Sequence, residues 1–218
     1  MGSIASVNLA VPEVSTAKSV GVTGINKQPV DGPVAVRAPG PRAAGGGSGL
    51  AGDQIFDRRN HGGDDQAVYA YAREDYAWWS RELGRPLPDG IFGENLTTVG
   101  VDVNGAMIGE RWRIGADLLL QATFARIPCA TFQAKMNEPH WMKTFIRHAR
   151  PGAYLRVVEP GEVRAGDEVR VVHRPTGGLT IAEGFRAWTT EPELLPRLLD
   201  TDDAPQETRD AVRHRLRR

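Results

Sequence analysis

Residues 111–125 read RWRIGADLLLQATFA, and this stretch sets the fold class. A Gly-centred turn stands between two runs of β type. In the second run Leu118, Leu120, Ala122 and Phe124 alternate with their neighbours, the period of two that lays one strand face on a core. Residues 162–174, EVRAGDEVRVVHR, repeat the format, with Ala165-Gly166-Asp167 turning between Val163 and Val169. Further back, ASVNLAV (5–11) puts Ala5, Val7, Leu9 and Val11 on one side of a strand, and GPVAVRAPG (32–40) reads as another short one. Short strands joined by Gly/Asp turns predict a mainly β chain, an antiparallel β-barrel rather than a parallel sheet.

Helices flank this pattern. In AREDYAWWSRELG (72–84), Tyr76, Trp79 and Leu83 share a face and Gly84 is a C-terminal stop. A second helix lies within EPHWMKTFIRHA (138–149), with Trp141 and Phe145 on one side. The pattern changes at Gly177-Gly178. Beyond it, Thr180 and Glu183 form a T-x-x-E capping box ahead of the stripe Ile181, Phe185, Trp188. PELLPRLL and PQETRDAVRHRLRR then read as two more short helices. The predicted units are therefore a barrel over 1–178 and a three-helix unit over 179–218, the latter too small to stand alone and expected to pack on the barrel. The Gly-rich run PGPRAAGGGSGLAGD (39–53) reads as a floppy surface loop around 45–49.

The 218 residues balance 27 basic against 27 acidic side chains, without the basic surplus of a general nucleic-acid binder. No apolar run approaches the roughly 20 residues of a membrane span. MGSIAS fits a loose myristoylation pattern, but no polybasic patch or second lipid site follows it. There is one cysteine, Cys129, so no internal disulfide forms. With no secretory signal in view, a reducing cytoplasm is the expected location.

Cys129 sits in ARIPCATFQ (125–133). It can be a small buried hydrophobe, a nucleophile or a metal ligand. A zinc site is disfavoured, because there is no second cysteine and no H-x₃₋₅-H pair. Three other stretches carry unusual polar groups: TGINKQPV with Lys27, GLAGDQIFDRRNHGGDDQAVYAY with His61, and FGENLTT with Asn95. Arg126 precedes Cys129. Lys27, His61, Asn95 and Arg126 are donors suited to phosphate or a polar heterocycle, and Gly62 and Gly63 free the backbone for close approach. Taken singly, each also reads as a satisfied loop residue, a solvated charge or a turn. Asp57, Arg58 and Tyr71 are secondary candidates that ordinary salt bridges or core packing explain better.

In combination and in this order, these motifs resemble the MOSC family, named for the C-terminal domain of molybdenum cofactor sulfurases. The resemblance runs from TGINKQPV through GDEVRVV, and the closing helices look like the appendage of stand-alone bacterial members. It implies a MOSC-type barrel that binds molybdenum cofactor (Mo-molybdopterin). Cys129, in the R-x-P-C position, would be the metal ligand and catalytic centre, its backbone fixed by Pro128. Lys27, His61, Asn95 and Arg126 would hold the pterin and its phosphate, Gly62 and Gly63 would permit approach, and Asp64 would position the loop. The insert PRAAGGGSG (41–49) departs from the compact family pattern. The implied activity is reduction of N-hydroxylated small molecules. One cysteine cannot also ligate an iron–sulfur cluster, so a separate flavoprotein or iron–sulfur protein is the expected electron donor. No nucleic-acid or membrane partner is implied, and a homodimer is left open. The alternatives are a carrier of the cofactor or of persulfide sulfur on Cys129, and a member diverged to another step of a specialised pathway.

Overall fold

The computed structural model describes residues 2–217; Met1 and Arg218, the outer ends of the two expected units, lie outside the described residues. Twelve strands are β1 (Gly2–Ala10), β2 (Glu13–Val14), β3 (Val22–Thr23), β4 (Lys27–Pro29), β5 (Val34–Val36), β6 (Val68–Ala72), β7 (Leu96–Val99), β8 (Arg111–Ile114), β9 (Leu118–Ala125), β10 (Ala153–Glu159), β11 (Gly161–Val163) and β12 (Glu168–His173). Six helices are α1 (Arg73–Leu83), α2 (Ala130–Met136), α3 (Trp141–His148), α4 (Ile181–Thr189), α5 (Leu195–Leu199) and α6 (Gln206–Leu216).

The ring runs β12-β8-β9-β10-β6-β7-β1 and closes through the β1–β12 pairing, with β4 added on β1. Its neighbours are antiparallel except β6 and β7, which are parallel. That exception has a local cause: α1 follows β6 directly and returns the chain to the same end of the sheet before β7, the crossover that parallel neighbours require.

In β9 a bulge after Ala122 sets Phe124 on the opposite face from Leu118, Leu120 and Ala122, and two further strand assignments change. In β1 the ladder holds Ile4 opposite Thr98 and Ser6 opposite Thr97, leaving Ala5 as the extra residue of a bulge. One inserted residue reverses the alternation. Ile4 and Val7 are therefore buried while Ala5 and Val11 face out. Ser6 and Asn8 share the opposite face, which is also buried, and both are satisfied: Ser6 Oγ donates to Asn8 Oδ1 at 2.6 Å and Asn8 Nδ2 to Thr97 Oγ1 at 3.1 Å. The second change is at Ala165-Gly166-Asp167. The turn forms, but β11 pairs with β5 and β12 with β8 and β1. β1 claims the turn's backbone instead, through Gly166 N–H to Ile4 O at 2.8 Å and Ile4 N–H to Asp167 O at 2.9 Å.

The helices behave as their sequence demands. Gly84 ends α1 in the left-handed region at φ 65°. Trp79, Trp141 and Phe145 are fully buried in one aromatic cluster with Phe92 and Phe132. The capping box at α4 is complete, Glu183 N–H to Thr180 Oγ1 at 3.1 Å and Thr180 N–H to Glu183 Oε2 at 2.9 Å. Residues 179–181 are stitched to the barrel by Ile108 N–H to Leu179 O and Ile181 N–H to Ala106 O. Gly184 lets α4 close on Phe124 and Ile108. α4 thus packs on β9, and the core continues across residue 178. Among the described residues no helix is long and apolar enough to cross a membrane.

The Gly-rich run is not a floppy loop. Gly46 and Gly49 are buried, and the backbone is tied by Arg37 N–H to Gly49 O (2.9 Å), Gly49 N–H to Ala67 O (2.7 Å) and Gly63 N–H to Gly47 O (3.0 Å). Composition pointed to flexibility, but these glycines let backbone lie on backbone. A Cβ on Gly46 would stand 2.1 Å from Gly40 O, whereas one on Gly177 would meet nothing. Gly46→Ala should therefore cost about 1–3 kcal/mol in urea unfolding and Gly177→Ala within about 0.5 kcal/mol of zero. Equal midpoints for the two variants would contradict the packed arrangement.

Candidate functional site

Arg126 follows the last residue of β9, so the barrel fixes where it enters the interior. It is 6% exposed, and among the described residues it forms no ion pair with a carboxylate. Its Nη1 donates to the Phe92 carbonyl, and its guanidinium lies 3.7 Å from the centre of the Phe132 ring and 5.5 Å from that of Tyr69. Burial works against its charge, but Tyr69, Tyr154 and Cys129 outweigh it and keep the group protonated.

Cys129 is half-buried and sits immediately before α2, a helix the sequence reading missed. Its thiol is brought down to about 6: burial pushes it up, but His61 as hydrogen-bond partner, the Arg126 charge and the Phe132 backbone N–H more than offset that. The sulfur is thus largely thiolate at neutral pH, the form that attacks electrophiles and binds metals.

Both residues line a cavity of about 120 Å³, together with Lys27, His61, Gly62 and Asn95. Six of the eight residues expected at the site converge there. The other two do not: Gly63 and Asp64 face a neighbouring groove. Asp64 does position the loop, its Oδ1 accepting Gly40 N–H at 2.9 Å. The close approaches at Gly62 and Gly63 are to protein backbone. A Cβ on Gly62 would stand 2.8 Å from Gly46 O, and one on Gly63 2.6 Å from Arg42 N. Both glycines have φ above 80°, a conformation other residues rarely adopt.

Lys27 is not a solvated charge. It is buried against Asp53 in an ion pair. Asp53 Oδ1 also accepts Ala10 N–H at 2.8 Å, and its Oδ2 accepts Asn95 Nδ2 at 2.9 Å. Burial pushes Lys27 down, opposed by Asp53. Burial pushes Asp53 up, but Lys27 and the hydrogen bonds hold it below the usual carboxylate range. Asn95 spans two elements, its Oδ1 accepting Tyr69 N–H at 3.1 Å. At the rim Lys18 pairs with Asp57 at 2.5 Å and stands 3.5 Å from His61 Nε2. Arg58 is exposed and bonds the Ile55 and Gly45 carbonyls. Tyr71 is core, its hydroxyl donating to Arg150 O.

Asp53, Lys18, Tyr154 and Glu94 are the residues of this region that sequence reasoning passed over as site groups. Glu94 is fully buried. It accepts from Tyr76, from Thr97 Oγ1 at 2.8 Å and from Gly90 N–H at 3.0 Å, and so shapes the turn that offers the Phe92 carbonyl to Arg126. The available signal for Asp53 was its place in a glycine-bounded loop inside a motif already singled out; nothing in the local sequence marks Tyr154.

The profile of the MOSC domain matches residues 57–170. The chain is 30% identical over 180 residues to the uncharacterized protein YflK of Bacillus subtilis, covering 82% of this chain and 77% of that one. It is 32% identical over 157 residues to a protein of Gibberella moniliformis named reductase, covering 70% of this chain but only 26% of the fungal protein. The crystal structure of YiiM from Geobacillus stearothermophilus superposes with a TM-score of 0.78 at 26% identity, covering 99% of this chain and all of that one. This chain belongs to the MOSC domain family.

The thiolate makes a direct prediction. Alkylation of Cys129 by iodoacetamide should rise with pH through a midpoint near 6, against about 8.5 for a free cysteine. Arg126→Met and His61→Phe each remove support for the negative sulfur, so both midpoints should move upward. A wild-type midpoint above 8 would contradict the geometry.

Proposed function

We propose that this MOSC protein is a molybdenum-cofactor-dependent reductase of N-hydroxylated compounds, with Cys129 as the protein's ligand to the metal. The observation that carries this reading is one cavity holding a low-pKa thiolate beside a buried guanidinium with no carboxylate partner. The residues fit the group. Among the described residues no cluster of three or more His, Cys, Asp or Glu side chains could hold a metal ion, so a metal at Cys129 takes its remaining ligands from its own cofactor. A soft thiolate suits molybdenum already held by dithiolene sulfurs, and Arg126 suits a phosphate or other anionic group. Lys27 is charge-matched by Asp53, which leaves Arg126 as the principal cation toward an anion. Lys27, Asp53 and Asn95 then act as a rigid wall, and His61 and Gly62 line the same cavity.

When bound, the cofactor would supply the two-electron reduction of the N–O bond. The balance is R–NHOH plus two electrons and two protons giving R–NH₂ and water. His61, beside the thiolate and linked to Lys18 and Asp57, is the group placed to pass a proton into the cavity. Electrons come from a separate flavoprotein or iron–sulfur protein, since the lone cysteine is taken by the metal. The fungal relative named reductase supports the reaction class. A second reading, a carrier holding a persulfide or the cofactor on Cys129, draws on the same thiolate; an extra labile sulfur on Cys129 in the mass spectrum would favour it.

Cys129→Ser should fold normally and lose molybdenum and turnover; full occupancy and full activity in that variant would sink the assignment. The two buried cations should separate. Arg126→Met removes a charge that lacks a carboxylate, so pterin retention should fall with little loss of thermal stability. Lys27→Met strands Asp53 and should cost about 3–5 kcal/mol. The reverse pattern would exchange their roles. Loaded protein given NADH alone should not reduce an N-hydroxylated substrate, and should do so with a chemical reductant. Turnover on NADH alone, free of contaminating reductase, would remove the need for a separate donor.

A further inference from the structure

We propose that the hairpin of residues 13–23 is a flap over the thiol cavity, and that the Lys18–Asp57 ion pair is the latch that holds it shut; this rests on Cys129 marking the reactive centre. The cavity gives the first reason. It encloses about 120 Å³, less than the roughly 150 Å³ of an engineered cavity that takes benzene and well below the roughly 300–1,000 Å³ of ordinary ligand sites. A ligand larger than one ring reaches the sulfur only when a wall moves. Ser15, Lys18, Val20, Val22 and Thr23, all from the hairpin, form one wall.

That wall is the one built to move. β2 and β3 are two residues each and pair only with one another, and a lone two-stranded hairpin is marginal in water. No residue from 11 to 26 is fully buried. Val14 is 87% exposed and Val20 46%, and Val22 stays outside the core cluster. Little apolar burial therefore holds the hairpin down. The Lys27–Asp53–Asn95 wall, by contrast, is bonded through buried side chains.

The hairpin is nevertheless ordered within itself, so it moves as a unit. Ser15 N–H donates to Gly21 O at 2.9 Å, and Gly21, at φ 75°, closes the tip by donating its N–H to Lys18 O at 3.1 Å. Both ends are fixed. Val11 N–H donates to Asn26 O at 2.7 Å, and Gly24 lies so close to Gln54 that a Cβ would stand 2.2 Å from its carbonyl oxygen. Between these points, among the described residues, Lys18 alone joins residues 12–25 by hydrogen bonds to the remainder of the chain. Its Nζ meets Asp57 Oδ2 at 2.5 Å and lies 3.5 Å from His61 Nε2. Asp57 is set to receive it, with Asn60 Nδ2 3.1 Å from each of its oxygens. The latch thus ties the tip of the flap to the loop that carries His61. A single ion pair at the surface is weak enough to break readily, and its geometry defines the closed position.

The test uses the whole chain without added metal, at neutral pH. Cys129 is the single thiol, so labelling reads this site alone. Iodoacetamide is small enough to pass a closed mouth, and N-(1-pyrenyl)maleimide is not. Asp57→Asn and Lys18→Met each remove the latch, so the pyrene rate divided by the iodoacetamide rate should rise about two- to fivefold. The ratio isolates access, because a charge effect on the sulfur changes both rates alike. The double variant should do no more than either single change. Lys18 is also the one trypsin site in the hairpin. Asp57→Asn should therefore speed cleavage of the Lys18–Ser19 bond by a similar factor, with circular dichroism and thermal midpoint as controls of fold. An unchanged ratio in both single variants, additive effects in the double variant, or cleavage no faster than in the wild type would overturn the proposal. Failure of the protein to hold molybdenum would overturn the reductase reading and leave these outcomes unaffected.

Discussion

A guanidinium buried beside a thiolate is the constraint around which this molecule is arranged. Removing such a charge from water costs several kcal/mol. A hydrogen bond to a charged group returns about 1.5–3 kcal/mol, and a desolvated cation–π contact about 2. Arg126 has these from the Phe92 carbonyl and the Phe132 ring. They come from different elements: the turn before β7 and the helix α2. Tyr69 of β6 and Tyr154 of β10 add their electrostatic support. Only a closed barrel brings the end of β9, the FGEN turn and two neighbouring strands to one point. Glu94, buried beneath that turn, ties it through Tyr76, Thr97 and Gly90.

The Lys27–Asp53–Asn95 wall of the cavity is tied to β1 beyond its bulge. Without the extra residue at Ala5, Asn8 would face the other way. With it, Asn8 lies on the buried face opposite Ile4 and Val7, and its carbonyl accepts Asn95 Nδ2 at 3.3 Å. Asn95 in turn reaches Asp53, and Asp53 neutralises Lys27. A backbone irregularity near the N-terminus is thereby coupled to the charge state of the cavity. Lys27 and Asp53 precede the segment that the MOSC profile matches, residues 57–170, so the recognised segment needs the N-terminal strands to complete its site.

Reading the sequence recovered what depends on local pattern. The glycine stop of α1, the capping box at Thr180 and the stripe on α4 each need only a few neighbouring residues, and each forms; the alternation in β9 holds from Leu118 to Ala122 and is then reversed by a bulge that sets Phe124 on the other face. The convergence of Lys27, His61, Asn95 and Arg126 on Cys129 came from motif resemblance, since nothing local places residues so far apart together. The misreadings share one cause, which is partner choice. Whether β11 pairs with β12 or β5, whether β1 carries a bulge, and whether glycines 45–49 pack on the HGGD loop are all decided by distant backbone. The partner of Lys27 was hidden for the same reason: Asp53 lies 26 residues away and has no periodic relation to it.

The charges left over in the cavity say what kind of ligand can be held tightly. Lys27 is cancelled by Asp53 and Lys18 by Asp57, leaving Arg126 and the Cys129 thiolate to balance each other. An anion bound alone at Arg126 would withdraw part of the support that keeps the sulfur ionised. A cation bound alone at the sulfur would remove the negative charge that helps Arg126 tolerate burial. Each binding event taken singly therefore works against the other group. A ligand that presents an anionic group to Arg126 and an electrophilic metal to Cys129 together restores both balances in one step. By linkage, an anion at Arg126 and a metal at Cys129 would change each other's affinity by the same free energy. On the proposed reading, a single ligand carrying both functions keeps both residues satisfied, whereas a simple anion or a simple metal ion would satisfy one at the expense of the other.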